Sequence, residues 1–206
     1  MKYRAFLRHV LVFLGIMVFA GCTSSQPTSL YVLTPSSAGE STNSASQSAA
    51  CPSIAIGPVS MPEYLDRSEI VTRVGPNRLG LSELHYWAEP LRKNIVRVLA
   101  DNLNSRLCGE VIAVTHERGE GPGDYRLRVD VRRFEPLERE RALLAASWTF
   151  RDPDSGKILR TRRAVYETPV KGTDHQAVAA AMSEALASLS RDIIDTFRGL
   201  SGNSSS

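Results

Sequence analysis

The stretch that decides the fold is Tyr125-Arg126-Leu127-Arg128-Val129-Asp130-Val131-Arg132. Apolar and charged residues alternate strictly along it. A period of two puts one set on each face, so this is a strand with one face buried. Two more runs follow, residues 143–151 and 157–167, with Asp152-Pro153-Asp154-Ser155-Gly156 between them. That interval carries turn chemistry and predicts a β-hairpin. Then the period changes. Val178, Met182, Leu186, Leu189, Ile193 and Phe197 recur at spacings of three and four. They predict an amphipathic helix over residues 174–198, with Asp174 as its N-cap.

Upstream the same signals recur. Leu91, Ile95, Val98, Leu99 and Leu103 mark one face of a helix over residues 87–107, while Arg92, Lys93, Arg97 and Asp101 mark the other. Pro90 fits its first turn, and Gly109 fits its stop. Residues 53–59, 70–74, 78–81 and 111–114 read as short strands, the middle two joined by a Gly75-Pro76-Asn77 turn. The order is β-ββ-α-β-βββ-α. It predicts an α/β two-layer sandwich: a mixed, mostly antiparallel sheet with two amphipathic helices packed on one face. Leu30-Tyr31-Val32-Leu33 is an apolar island, either a strand docked on this domain or part of a stalk.

The N-terminus has its own logic. Lys2, Arg4 and Arg8 precede an apolar run of 11 residues at 10–20. A membrane-spanning helix needs about 20 apolar residues. Positive charge, a short apolar core and small residues in that order describe an export signal. Phe19-Ala20-Gly21-Cys22 resembles the lipobox of bacterial lipoproteins, with Phe19 in place of the usual Leu. It implies cleavage before Cys22 and a diacylglyceryl group on its thiol. Thr23, rather than Asp, follows the cysteine, and lipoprotein sorting then favours the outer membrane, facing the periplasm. The expected organisation is a signal peptide over residues 1–21, a lipidated N-terminus and flexible tether over 22–50, a folded domain over 51–200 and a disordered tail over 201–206. The tether's 35–50 part holds no large apolar side chain, too little to offset its ordering entropy.

Charge removes one function class. The chain has 25 Lys and Arg against 22 Asp and Glu. All three excess charges lie in the first 21 residues, so the remainder is neutral and is not a nucleic-acid binder by this criterion. Arg126, Arg128 and Arg132 share one strand, and Arg160 and Arg162 share another. If their faces coincide they form a basic stripe for anionic lipid or an acidic partner; otherwise they belong to a solvated surface balanced by Asp130, Glu135 and Glu138.

Enzyme signals are poor. His85, His116 and His175 lie far apart, without HExxH or paired-cysteine spacing. There is no G-x-S-x-G elbow. Gly156-Lys157 lacks the rest of a phosphate loop, Asp152-x-Asp154-x-Gly156 lacks the rest of a calcium loop, and Gly119-x-Gly121-x-Gly123 is no dinucleotide fingerprint. No metal and no cofactor is expected beyond the covalent lipid on Cys22. With Cys22 assigned, Cys51 and Cys108 remain as either a disulfide or two separate thiols.

Pro62-Glu63-Tyr64-Leu65-Asp66-Arg67, then Ile70-Val71-Thr72-Arg73, then Trp87-Ala88-Glu89-Pro90-Leu91 carry a resemblance. The chain resembles the PqiC-type ABC-transport auxiliary lipoproteins, also called membrane-integrity-associated transporter subunits. The resemblance implies a non-catalytic, periplasm-facing lipoprotein on the outer membrane. Its expected partner is an MCE-domain protein of a system that moves lipids or hydrophobic molecules and supports outer-membrane integrity. A periplasmic carrier that binds a hydrophobic ligand itself is the alternative, and homo-oligomerisation is left open. The 62–67 loop together with Arg73 is the expected partner-binding site. Its competing reading is a loop packed on its own core, with Asp66–Arg67 or Glu63–Arg73 as local ion pairs.

Overall fold

The computed structural model describes residue 3, residues 27–36, 51–114 and 122–201. Eight strands form one mixed sheet: β1 (Ser29–Tyr31), β2 (Ile54–Ser60), β3 (Glu69–Gly75), β4 (Arg78–Trp87), β5 (Val111–Ala113), β6 (Tyr125–Leu137), β7 (Arg141–Arg151) and β8 (Ile158–Pro169). Two helices complete it, α1 (Leu91–Asn104) and α2 (His175–Ser201). The α/β sandwich expected from the sequence is therefore present.

The alternating stretch is the centre of the sheet. On one side β6 pairs antiparallel with β7, and β7 with β8. On the other side β6 meets β2 and then β3, both parallel. Beyond these lie β5, parallel to β2, and β4 and β1, with β4 antiparallel to β3 and β1 parallel to β4. Leu127, Val129 and Val131 point at the helices, as do Leu144, Ala146, Trp148 and Phe150 of β7. From α1 come Leu91, Ile95, Leu99 and Leu103, and from α2 Met182, Leu186, Leu189 and Ile193. Each of the Val, Leu, Ile, Phe and Met side chains among them contributes roughly 1.5–3 kcal/mol by burial. Asp174 caps α2 as expected, its Oδ1 accepting the Ala177 N–H at 2.8 Å.

Several boundaries differ from the sequence reading: α1 ends at Asn104 rather than 107, and α2 runs on to Ser201, the first residue of the expected tail; three further differences have a visible reason. β6 runs to Leu137 rather than 132. A register shift between Val131 and Arg133 absorbs one residue, after which Phe134 takes the core side; the strict alternation ends, but the strand does not. β4 runs to Trp87 rather than 81, through a larger irregularity in which residues 82–85 oppose Ile70 alone. That extension takes up the expected first turn of α1, and Pro90 becomes its N-cap residue. The domain also begins before Cys51. β1 is a strand in the sheet, Leu33 is fully buried, and Ser36 donates its N–H to Asn102 Oδ1 at 2.8 Å. Chain that reads as tether at 35 and 36 is thus docked.

The arginine faces do not coincide. Arg128 lines up with Thr149 and Thr161, on the surface away from the helices. Arg160 and Arg162 line up with Phe150 and Trp148, on the helix side. No single basic stripe results.

Candidate functional site

The expected partner-binding loop is a single 3₁₀ turn, Glu63–Leu65, between β2 and β3. Leu65 is buried in the core and Tyr64 is half-buried, while Glu63, Asp66 and Arg67 are exposed. Pro62 lies just ahead of the turn, in extended conformation. The expected ion pairs are replaced by others. Asp66 pairs with Arg92 of α1 at 2.8 Å, and Arg67 lies 3.6 Å from Glu69. Arg73 does not reach Glu63; it pairs with Glu135 of β6.

Glu135 is the centre of this region. It has no exposed surface. Its Oε1 accepts from Arg73 Nε at 2.8 Å and Arg133 Nε at 2.9 Å. Its Oε2 accepts from Tyr64 Oη at 2.9 Å and from the Phe134 N–H at 3.2 Å. Burial pushes the carboxyl up, but hydrogen bonds from Arg73, Arg133 and Tyr64 outweigh it and hold the group below the usual carboxylate range. Burial, together with the bond to Glu135, pushes the Tyr64 phenol up to about 12. A buried carboxylate without such donors would be untenable. With them it fixes the turn to β3 and β6 and presents Glu63, Asp66 and Arg67 on a rigid base.

A second cluster joins four separate segments. His85 of β4 and His175, the first residue of α2, stack with ring centroids 3.6 Å apart and planes 17° apart. Tyr31 Oη of β1 lies 2.8 Å from His85 Nδ1. Ser82 Oγ and Arg139 Nη2 lie 3.0 and 2.9 Å from His175 Nε2. A guanidinium can only donate, so His175 Nε2 accepts and the ring is neutral with its proton on Nδ1. Burial, then the charge of Arg139 and the neighbouring His85, pushes its pKa down to about 4. Ser82 and His85 are three residues apart and would face opposite ways in a regular strand. The irregularity in β4, with Leu84 at φ 62°, brings both to His175. Arg139 arrives on the β6–β7 turn, where Glu138 and Arg139 hold φ of 48° and 62°. Non-glycine residues in that region cost roughly 1–2 kcal/mol each.

Beside this cluster lies an open cavity of about 390 Å³ lined by Thr72, Val74, Leu81 and Glu83 together with Ser82, His85, Arg139 and His175. Ser82 and His175 have the spacing of a nucleophile and its base. The chemistry is against that role: a base titrating near 4 is weak at neutral pH, and its lone pair already faces a guanidinium. The cluster works as a clamp that holds β1 and the start of α2 to β4.

A third feature lies between the helices. Leu33 N–H donates to Asn94 Oδ1 at 2.6 Å and Thr34 N–H to Ser183 Oγ at 3.1 Å. Asn102, which receives Ser36, also donates to Ser190 Oγ at 3.0 Å. Buried Asn and Ser on facing helices thus satisfy an extended segment laid in the crevice. Cys51 and Cys108 form a disulfide with Cα atoms 5.7 Å apart. At the adjacent Gly109 any side chain would collide with the Pro52 carbonyl. Cys22, His116, the glycines at 119 and 121, most of the tether and residues 202–206 lie outside the described residues.

The sequence pattern misses Glu135, Tyr31, Ser82, Arg139 and the His85–His175 pairing. The one available signal is the break of alternation at Arg132-Arg133, which moves the acid Glu135 off the alternating pattern of the strand.

Comparison with known proteins gives a coherent result. The model of a family described as ABC-type transport auxiliary lipoprotein component matches residues 31–194. A crystal structure of a Xanthomonas campestris protein from the DUF330 family superposes with TM-score 0.67 at 19% identity, covering 86% of this chain and 99% of that one. An uncharacterized protein of known crystal structure also superposes with TM-score 0.67, at 17% identity, covering 84% and 99%. At these identities the two structures show the fold alone. No curated protein matches the sequence.

Proposed function

The chain belongs to the family of ABC-type transport auxiliary lipoprotein components, and from that premise we propose that it is a non-catalytic subunit anchored in the outer membrane by lipid on Cys22. It faces the periplasm and works with an MCE-domain protein in moving lipids or other hydrophobic molecules, which supports outer-membrane integrity. The observation that carries this reading is the family match across residues 31–194, which spans nearly all of the folded domain. Among the described residues no helix is long and apolar enough to cross a membrane. The lipobox-like Phe19-Ala20-Gly21-Cys22 supplies an anchor, and Thr23 at the next position favours the outer membrane.

The docking site proposed for the partner is the turn at Pro62, Glu63, Tyr64, Leu65, Asp66 and Arg67, braced by Arg73. Leu65 and Arg73 act from beneath, through the core and Glu135. Glu63 and Arg67 offer the exposed charge that a partner would read. The test is affinity purification of the full-length protein from its own membranes, followed by identification of the co-purified chains. An MCE-domain protein is expected with the wild type and is expected to be depleted with a Glu63→Ala/Arg67→Ala variant that melts normally. If an MCE protein never co-purifies, the function is wrong. If it co-purifies equally with the variant, the docking turn is wrong.

A further inference from the structure

We propose that the β1 edge of the sheet is the surface that lies on the bilayer, with Leu30 and Val32 set into its interfacial layer. The inference rests on the lipid anchor at Cys22 proposed above. It adds which face of the domain meets the phospholipid.

The argument begins with chain length. Ser29 opens β1 and pairs with His85. Cys22 is seven residues before it, and a fully extended chain covers about 3.3–3.6 Å per residue, so Ser29 lies within ~25 Å of the anchored residue. A globule of this size has a radius of gyration of about 15 Å, hence a diameter of ~40 Å. A leash of ~25 Å cannot pass round such a body to its far side. One face must therefore rest near the lipid, and β1 is on it.

β1 cannot slip to lengthen the leash. Three residues pair with β4, Tyr31 Oη bonds His85 Nδ1 at 2.8 Å, Leu33 is fully buried, and its N–H is held by Asn94 at 2.6 Å. The Tyr31–His85–His175 cluster thus has a mechanical role as the fastening of the membrane-proximal strand.

The side chains on that strand fit the surface. Tyr31 and Leu33 point inward, so Leu30 and Val32 point outward. They are 65% and 43% exposed; Leu30 lies on β1, whose outer edge is unpaired among the described residues, and Val32 directly follows it. Exposed apolar residues on a free edge strand are an association hazard in a protein surrounded by water. Next to a bilayer the same residues gain by entering the boundary between headgroups and acyl chains.

The opposite edge supplies the control. β8 lies beyond β4, β3, β6 and β7 from β1, five strand spacings of about 4.8 Å away. Its Val165 is 58% exposed, as apolar and as open as the β1 pair. The experiment uses full-length, lipidated protein in vesicles of phosphatidylethanolamine and phosphatidylglycerol, some containing brominated acyl chains. Leu30→Cys and Val165→Cys each take a thiol-reactive fluorophore, since Cys51 and Cys108 are bonded to each other. Flotation and intact mass report the anchor independently. The expected result is a protein that floats, with bromolipid quenching at position 30 at least threefold greater than at 165. Equal quenching, or greater quenching at 165, in a protein that floats overturns this inference and leaves the anchor standing. A chain that carries no lipid and does not float overturns both.

Discussion

Replacing Glu135 with alanine removes the acceptor shared by Tyr64, Arg73, Arg133 and the Phe134 N–H. Breaking a buried ion pair by deleting one partner costs roughly 3–5 kcal/mol, because the remaining charge has lost its compensation. Here the side chains of Arg73 and Arg133 are 21% and 37% exposed, so both can partly rehydrate. The lower end, about 3 kcal/mol, is the appropriate figure. For a domain of this size it corresponds to a fall in Tm of roughly 6–12 °C. Glu135→Gln keeps the shape and one acceptor but presents an amide to a guanidinium, and should fall in between. Tyr64→Phe removes one charge-assisted hydrogen bond to the carboxylate and should cost about 1.5–3 kcal/mol. In a double-mutant cycle Tyr64→Phe should cost much less on the Glu135→Ala background than alone. The assay is urea unfolding at pH 7 of the delipidated protein, checked by calorimetry. A Glu135→Ala protein melting within about 2 °C of wild type, less than 1 kcal/mol on this scale, would refute the assignment of Glu135 as the brace of the docking turn.

Three further outcomes follow from the same geometry. His175 titrates near 4 in the folded chain against 6.5 ordinarily, so the unfolded chain binds more protons between those values; stability should be full above pH 6.5 and decline by up to about 3 kcal/mol as pH falls to 4, and His175→Gln should flatten that decline in urea titrations at pH 7 and 4.5. Asn94→Ala leaves the buried Leu33 N–H without its acceptor; it should cost about 1–3 kcal/mol and raise amide exchange at residues 31–36 before the rest of the domain. Replacing Cys51 and Cys108 together by serine opens a loop with a sequence separation of 57, and chain entropy puts the loss at about 4 kcal/mol, measurable by urea unfolding with and without reductant.

What the sequence made legible is what depends on neighbours along the chain. The alternation from Tyr125 to Arg132, the Asp152-to-Gly156 turn and the two apolar helix faces each state a local period, and each element is found in place. The extensions of β4 and β6 were hidden because irregularities shift the period partway: residues 82–85 in one strand and the step at Arg132-Arg133 in the other. The parallel pairings of β2 with β5 and β6 depend on crossovers that no local pattern records. The site suffers in the same way. Tyr64, Arg73 and Glu135 are brought together from three segments, as are Tyr31, His85 and His175, and residue type alone gives no sign of it. His85, His116 and His175 read as scattered, yet two of them stack.

The most direct test of the central claim, that this lipoprotein docks on a transport component through the 62–67 turn, is photocrosslinking in living cells. A photoreactive amino acid replaces Arg67, which is exposed on the turn, or Thr161, which is exposed on the sheet surface away from the helices. Ultraviolet light should give an adduct with an MCE-domain protein from position 67 and little or none from 161. No adduct from 67 in a correctly folded, membrane-bound protein, or adducts to that partner from 161 alone, would contradict the account.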